Sequence, residues 1–308
     1  MAKSEYEGYT SKKATVRLRE KFGSASVYNR KAQSILTKAT GYIGSYDFTL
    51  NPYRGCQYGC SYCYAAAFSP NPRMRRDWGK WVLVKENAAQ QLDKELAKWF
   101  EKSPDTPPSI YMSSVTDPYQ PIEAKDKITR RLLEVMVEYQ PTLVIQTRSP
   151  MLVRDLDLLQ QLERLRVNIS IPTGSEKVRR DFEPQTPSIV ARFQAAEKLR
   201  YGIDMLRGYV PKISITVTPV LPTLLEDEPA FMRRLQVADR VVVQQFHASK
   251  NQSLVAVTRK EAEAIKHRYA WWFDKENECY EGFKKRLFDR LKGIVDDIQE
   301  GRQGFGYE

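Results

Sequence analysis

From residue 45 onward, short apolar or β-branched runs alternate with longer stretches of helical periodicity. Six runs read as strands, at 46–50, 109–113, 142–147, 167–171, 212–218 and 240–246. Ala88, Leu92, Leu96 and Phe100 recur at helical spacing between the first two, as do Ile128, Leu132, Val135 and Tyr139 after the second. Ser149 and Pro150 supply an N-cap and a first-turn proline ahead of Leu152, Leu156, Leu159 and Leu162. Thr186 and Pro187 are expected to open the next helix in the same way, and it stops near Gly202. Such alternation builds a parallel sheet covered by helices. Six strands fall short of the eight that close a barrel, so the pattern predicts an α/β fold with a partial (β/α)6 TIM-type barrel.

The barrel is expected over residues 45–248, after a basic N-terminal extension (1–44) and before a C-terminal helical segment (249–308). In that last segment Trp271-Trp272-Phe273, Phe283, Leu287, Leu291 and Ile294 are expected to pack on the barrel, and 301–308 to form a loose tail. Barrels of this type carry their active sites at the carboxyl ends of the strands. A cysteine-rich loop follows the first strand, and Ser114, Thr116 and Asp117 follow the second. Arg148 follows the third, Ser170 and Thr173 end the fourth, Thr218 ends the fifth and His247 follows the sixth. Singly, each has an ordinary reading as a helix cap, a salt bridge or an interior hydrogen bond. Together they mark one rim as the active-site mouth.

Three of the chain's four cysteines, Cys56, Cys60 and Cys63, fall within eight residues. Thiolates are soft ligands for iron–sulfur clusters, zinc or Cu(I). A four-iron cluster held by three cysteines keeps one iron open, and an open iron is a place for chemistry. Structural zinc sites are closed by four ligands. The two histidines, His247 and His267, lack the local spacing of a zinc finger, although a distant ligand would complete such a site on folding. A disulfide reading fails because three close cysteines cannot all pair and no secretory signal is recognisable. Cys279 lies far off in a helical pattern.

Composition adds little that conflicts with an intracellular enzyme. The 308 residues are 42% hydrophobic, enough for a large core, and the mean hydropathy of −0.55 argues against a membrane protein. No apolar run approaches the ~20 residues that cross a bilayer. Clustered free cysteines suit a reducing cytoplasm. The net charge of +11 suits an anionic partner such as nucleic acid, but suits general solubility as well. Residues 1–40 hold nine Lys or Arg against three Glu, interleaved with Tyr6, Tyr9, Phe22 and Tyr28.

The stretch Asn51-Pro52-Tyr53-Arg54-Gly55-Cys56, continuing through Cys60-Ser61-Tyr62-Cys63-Tyr64, resembles the radical S-adenosylmethionine (radical SAM) superfamily. The matching pattern is C-x3-C-x2-C with an aromatic residue before the third cysteine. Lys85-Glu86-Asn87-Ala88 and Thr116-Asp117-Pro118-Tyr119-Gln120-Pro121 extend the likeness to the branch related to spore photoproduct lyase, over about 34–245. The resemblance implies a [4Fe–4S] cluster on Cys56, Cys60 and Cys63, SAM at its open iron, and an electron donor such as flavodoxin or ferredoxin. It implies SAM contacts from Tyr62, Thr116 or Asp117, Arg148 and Ser170. The activity implied is hydrogen abstraction by a 5′-deoxyadenosyl radical, then bond cleavage or rearrangement, with a nucleic acid or nucleobase derivative as substrate. A peptide or small-metabolite substrate and a non-catalytic iron–sulfur or zinc protein are the alternatives. Ser114 stands where the lyase has its hydrogen-donating cysteine, and a serine O–H bond is a poor hydrogen-atom source. Tyr64 matches a tyrosine of the lyase's hydrogen-transfer chain, and Cys279 would replace the missing thiol only if the C-terminal helices bring it to the mouth.

Overall fold

The computed structural model describes residues 17–203, 208–246 and 260–308. His247 and the N-terminal residues Lys3, Tyr6, Tyr9, Lys12 and Lys13 lie outside them. Twelve strands are formed within these limits. They are β1 (Arg17–Phe22), β2 (Ala25–Arg30), β3 (Leu36–Lys38), β4 (Phe48–Leu50), β5 (Tyr53–Arg54), β6 (Trp81–Lys85), β7 (Ser109–Met112), β8 (Thr142–Thr147), β9 (Leu165–Ser170), β10 (Lys212–Val217), β11 (Arg240–Val243) and β12 (Asp297–Glu300).

The large sheet runs β12-β11-β10-β9-β8-β7-β4-β3. Every pairing in it is parallel except β3 with β4. All six predicted strands are present in order, and the sheet remains open at β3 and β12, as a partial barrel should. Its outer face is buried beneath helices. Leu92 and Leu96 of Ala88–Phe100, and Leu132, Leu133 and Met136 of Ile128–Tyr139, are fully covered, whereas Val135 and Tyr139 are only half-buried. The interior is polar. The Tyr111 hydroxyl donates to Gln146, which donates in turn to Thr216 at 3.1 Å.

Several boundaries differ from the sequence reading. Ser149 does cap a helix, accepting from the Met151 N–H at 3.3 Å, but the first turns are 3-10 over Pro150–Asp155. The following helix starts at Ile189, capped by Ser188 rather than Thr186, because the Thr186 hydroxyl is turned back onto Glu183. Residues 297–300 add a seventh parallel strand, and 301–308 are not loose. Gly304 is buried, the Phe305 carbonyl accepts from Tyr46 at 2.7 Å, and the Tyr307 carbonyl accepts from Arg166 at 2.7 Å. Arg240 binds the Gly306 carbonyl at 2.7 Å, so this tail covers the amino-terminal floor of the barrel. In the C-terminal segment, Trp272, Phe283, Leu287 and Leu291 pack inward as expected, but Trp271 and Ile294 are exposed.

A second, smaller sheet runs β1-β2-β6-β5. Residues 17–30, read from sequence as basic extension, form its hairpin, with Ala25, Val27 and Tyr28 buried. One face of this sheet joins the main core through Val27, Val82 and Val84. Tyr28, Trp81 and Leu83 on the other face pack against the cysteine loop. Among the described residues no helix is long and apolar enough to cross a membrane.

Candidate active site

The cysteine loop is shaped by two glycines. Gly55 has φ +83° and Gly59 φ +57°, the left-handed region in which side chains are strained. A Cβ on Gly55 would also fall 2.6 Å from the Trp81 ring. Gly55→Ala is therefore expected to displace the loop and lower iron uptake on reconstitution. Retention of full iron content would show that the loop tolerates the shift.

The platform beneath the loop is the segment that follows β7. Thr116 donates to the Gly55 carbonyl at 2.6 Å, and Tyr58 donates to the Tyr119 carbonyl at 3.1 Å. Gln120, fully buried, accepts from the Gln57 N–H at 2.9 Å, while the Gln57 side chain accepts from the Ile122 N–H at 2.7 Å. Asp117 takes the Thr147 hydroxyl at 2.7 Å, the Arg148 N–H at 2.9 Å and the Tyr119 N–H at 2.9 Å. Burial pushes its carboxyl upward in pKa against these donors. Thr116 and Asp117 thus hold the loop and the start of the Arg148 turn.

Arg148 reaches from the end of β8 to the cysteines. Its guanidinium lies 2.8 Å from the Cys60 Sγ and 3.2 Å from the Tyr62 hydroxyl, and it is ion-paired to Glu183. Glu183, which ends the helix Glu176–Phe182, is a hub of this site. Its side chain is fully buried, accepts from Tyr62 and Arg148, and pairs with the equally buried Arg192 at 2.6 Å. Burial alone would raise the Glu183 pKa, but Arg192, Arg148 and the Tyr62 hydroxyl hold it below the ordinary value. Arg192 also donates to the Ser170 carbonyl at 2.9 Å, which ties the end of β9 into the same network. The signal for this hub lay in the helix pattern, where Arg192 interrupts the buried stripe of Ile189, Phe193, Ala196 and Leu199.

Of the other predicted site residues, Tyr64 donates to the Ser114 carbonyl and so joins the loop after β7 to the residue following Cys63. Ser170 is buried at the carboxyl end of β9. Tyr62 meets Phe246 edge-on at 6.1 Å, and Phe182, Phe246, Tyr269 and Phe273 form the cluster that brings the C-terminal helices to this rim. Cys279 does not join the group. It lies on the next helix, Glu276–Leu291, with its thiol directed at the Trp271 carbonyl 3.7 Å away.

Cys56 and Cys60 are buried and Cys63 is half-buried. Burial first, then the charges of Asp117 and the other two cysteines, pushes the Cys56 thiol up. Burial also pushes Cys60 up to about 12, against the pull of Arg148. The donor set fits an iron–sulfur cluster: three soft thiols on one loop, with a guanidinium beside one sulfur to offset thiolate charge. Among the described residues no set of three or more His, Cys, Asp or Glu side chains already stands at ion-holding spacing.

The sequence profile described as the radical SAM superfamily matches residues 50–236. An uncharacterized protein of Methanocaldococcus jannaschii is 33% identical over 181 residues, which is 59% of this chain and 63% of the relative. An uncharacterized protein of Mycobacterium tuberculosis is 28% identical over 193 residues, covering 59% of this chain and 52% of that one. The chain therefore spans little more than half the length of the curated relatives it matches. A spore photoproduct lyase variant superposes with a TM-score of 0.61 at 15% identity, covering 95% of this chain and 88% of that one. A spore photoproduct lyase with bound AdoMet and dinucleoside spore photoproduct superposes at 0.58 and 17% identity, covering 89% and 80%. At these identities the likeness is one of fold.

Proposed function

The chain belongs to the radical SAM superfamily, and on that premise we propose that it abstracts hydrogen from a nucleic acid or nucleobase-derived substrate and so cleaves or rearranges a bond. Membership makes it an enzyme of the class that works with a [4Fe–4S] cluster and SAM. Together these cofactors supply a 5′-deoxyadenosyl radical that takes hydrogen from an unactivated C–H bond. We assign the cluster to Cys56, Cys60 and Cys63, in a reducing cytoplasm and with reducing equivalents from a flavodoxin- or ferredoxin-type donor.

The observation that carries the reading is Arg148, a fixed cation 2.8 Å from the Cys60 sulfur at the carboxyl rim of the sheet. Asp117 fixes its backbone and Glu183 fixes its guanidinium. So held, it offsets thiolate charge and presents a fork to the SAM carboxylate. With SAM bound, Tyr62, steered by Glu183, would border the adenine, Ser170 the ribose, and Thr116 or Asp117 the amino group or ribose. Tyr64 is tethered beside the site at Ser114 and is the residue we place on the path of hydrogen return, because the Ser114 hydroxyl is a poor donor. The nucleobase assignment draws on the fold shared with spore photoproduct lyase and on the net charge of +11.

Electron paramagnetic resonance of the anaerobically reconstituted, dithionite-reduced protein tests the core of this reading. A [4Fe–4S]⁺ signal that changes when SAM is added is the expected result. A cluster indifferent to SAM, or uptake of zinc in its place, would sink it. Incubation with oligonucleotides and with peptides, followed by assay for 5′-deoxyadenosine, separates the substrate classes.

A further inference from the structure

Three cations gather on the small sheet, and among the described residues none of them is in an ion pair. Residues two apart on a strand share a face, so Arg30 lies on the face of Tyr28, and Lys85 on the face of Leu83 and Trp81. Arg30 is the direct partner of Lys85 across β2 and β6, and Arg54 is the direct partner of Leu83 across β5 and β6. All three cations therefore extend the face that packs against Cys56 and Cys60 through Tyr28, Trp81 and Leu83. Like charges placed directly opposite one another destabilise a sheet. Here they persist among the described residues without an ion pair. Arg54 donates to the Phe68 carbonyl at 2.9 Å and Lys85 to the Asn51 carbonyl at 2.7 Å. Glu95, whose charge reaches Lys85, is occupied by the N–H groups of Ile35 and Leu36 at 3.0 and 2.8 Å.

Arg54 also anchors the short helix Tyr64–Phe68, which follows the third cysteine. Tyr64 and Phe68 are 37% and 43% exposed there, their rings edge-to-face at 6.3 Å. Cations for an anion and an aromatic surface for a flat or apolar group thus lie side by side, next to the cysteine loop.

We propose that Arg30, Arg54 and Lys85 form a phosphate-binding site that seats the substrate beside the cluster loop. Two guanidinium groups suit bidentate contacts to phosphate oxygens, and the ammonium adds a point charge. The inference deepens the proposed function and rests on it for the claim that the occupant is substrate. The phosphate belongs either to a nucleic-acid backbone or to a small phosphorylated compound.

Lys85 supplies the readout. Burial, followed by Arg30 and Arg54, lowers its ammonium to about 8, so a larger fraction is neutral amine near neutral pH than for an ordinary lysine, and acetic anhydride reads that fraction. The full, cluster-loaded protein is acetylated anaerobically with and without inorganic pyrophosphate or a short oligothymidylate, and Lys85 acetylation is followed by mass spectrometry. A probe at ten times its Kd is expected to slow the reaction about tenfold, and Arg30→Gln to abolish that protection. Because Arg30 opposes Lys85, Arg30→Gln is expected to leave Tm unchanged or slightly raised, where a structural cation would lower it. Protection by the oligonucleotide alone identifies a nucleic-acid backbone, and protection by pyrophosphate as well identifies a small phosphorylated compound. Protection by neither, or a lowered Tm with protection intact, overturns the site. The SAM-dependent resonance change is recorded on the same preparation. Its loss with protection intact rejects the radical reading and keeps the anion site, and the reverse rejects the anion site alone.

Discussion

Arg192→Leu is expected to lower the free energy of unfolding by about 3–5 kcal/mol, the range for breaking a buried ion pair by removing one partner. The Glu183 and Arg192 side chains are both fully buried, so the carboxylate left behind has no water to turn to and keeps Arg148 and the Tyr62 hydroxyl as partners. Arg192 also satisfies the Ser170 and Pro187 carbonyls, and neither gains a new donor when it is removed. Urea denaturation measures the loss. The double variant Arg192→Leu/Glu183→Leu should be less destabilised than the sum of the single variants, because it removes the half-compensated carboxylate along with its partner. A loss below about 1 kcal/mol would place Arg192 among ordinary surface pairs and leave Arg148 as the sole counter-charge that matters to Glu183.

Cys60→Ala is expected to have the largest effect on chemistry, reducing SAM cleavage to background and removing the reduced-cluster resonance. On the proposed assignment each of the three loop thiols is a cluster ligand, and no other described cysteine stands close enough to replace one. Cys60 is in addition the sulfur against which Arg148 rests. Iron content per chain, the resonance and 5′-deoxyadenosine yield should fall together. Cys279→Ala is the matched control for iron content, because its thiol faces Trp271 on the outer helices. Normal iron content and SAM cleavage in Cys60→Ala would require another ligand and remove the loop from the centre of the mechanism.

The six barrel strands were legible because β-branched runs buried on both faces leave an apolar signature, as in the Arg-Val-Val-Val of β11. By the same rule β12, Asp-Ile-Gln-Glu, was not, since its position at the sheet edge lets polar side chains remain wetted. The β1–β2 hairpin was hidden for another reason. Its alternating charges resemble a solvated extension, and the burial of Val27 and Tyr28 depends on β6, more than fifty residues later in the chain. The site divided along similar lines. Soft ligands announce themselves by type and spacing, so the three cysteines could be read directly. The Glu183 hub could not, because Tyr62, Arg148, Glu183 and Arg192 meet only when four separate segments are folded, and the break that Arg192 makes in its helical stripe marks only one of them. The placement of Cys279 away from the mouth was likewise invisible, since helical periodicity gives a face but not which neighbour that face meets.

The floor of the barrel sets the order of events during synthesis. β11 is buried along its whole length, yet one of its edges is covered only by β12, whose residues leave the ribosome after the C-terminal helices have been made. Until then a bare, valine-rich edge is open, the kind of template on which chains pair with one another. Residues 297–308 are therefore expected to act as a latch against self-association: β12 occupies the edge, and the stretch behind it is fastened through Arg166 and Arg240. Nascent chains that stall before residue 297 should accumulate as aggregates, whatever the state of the cysteine loop.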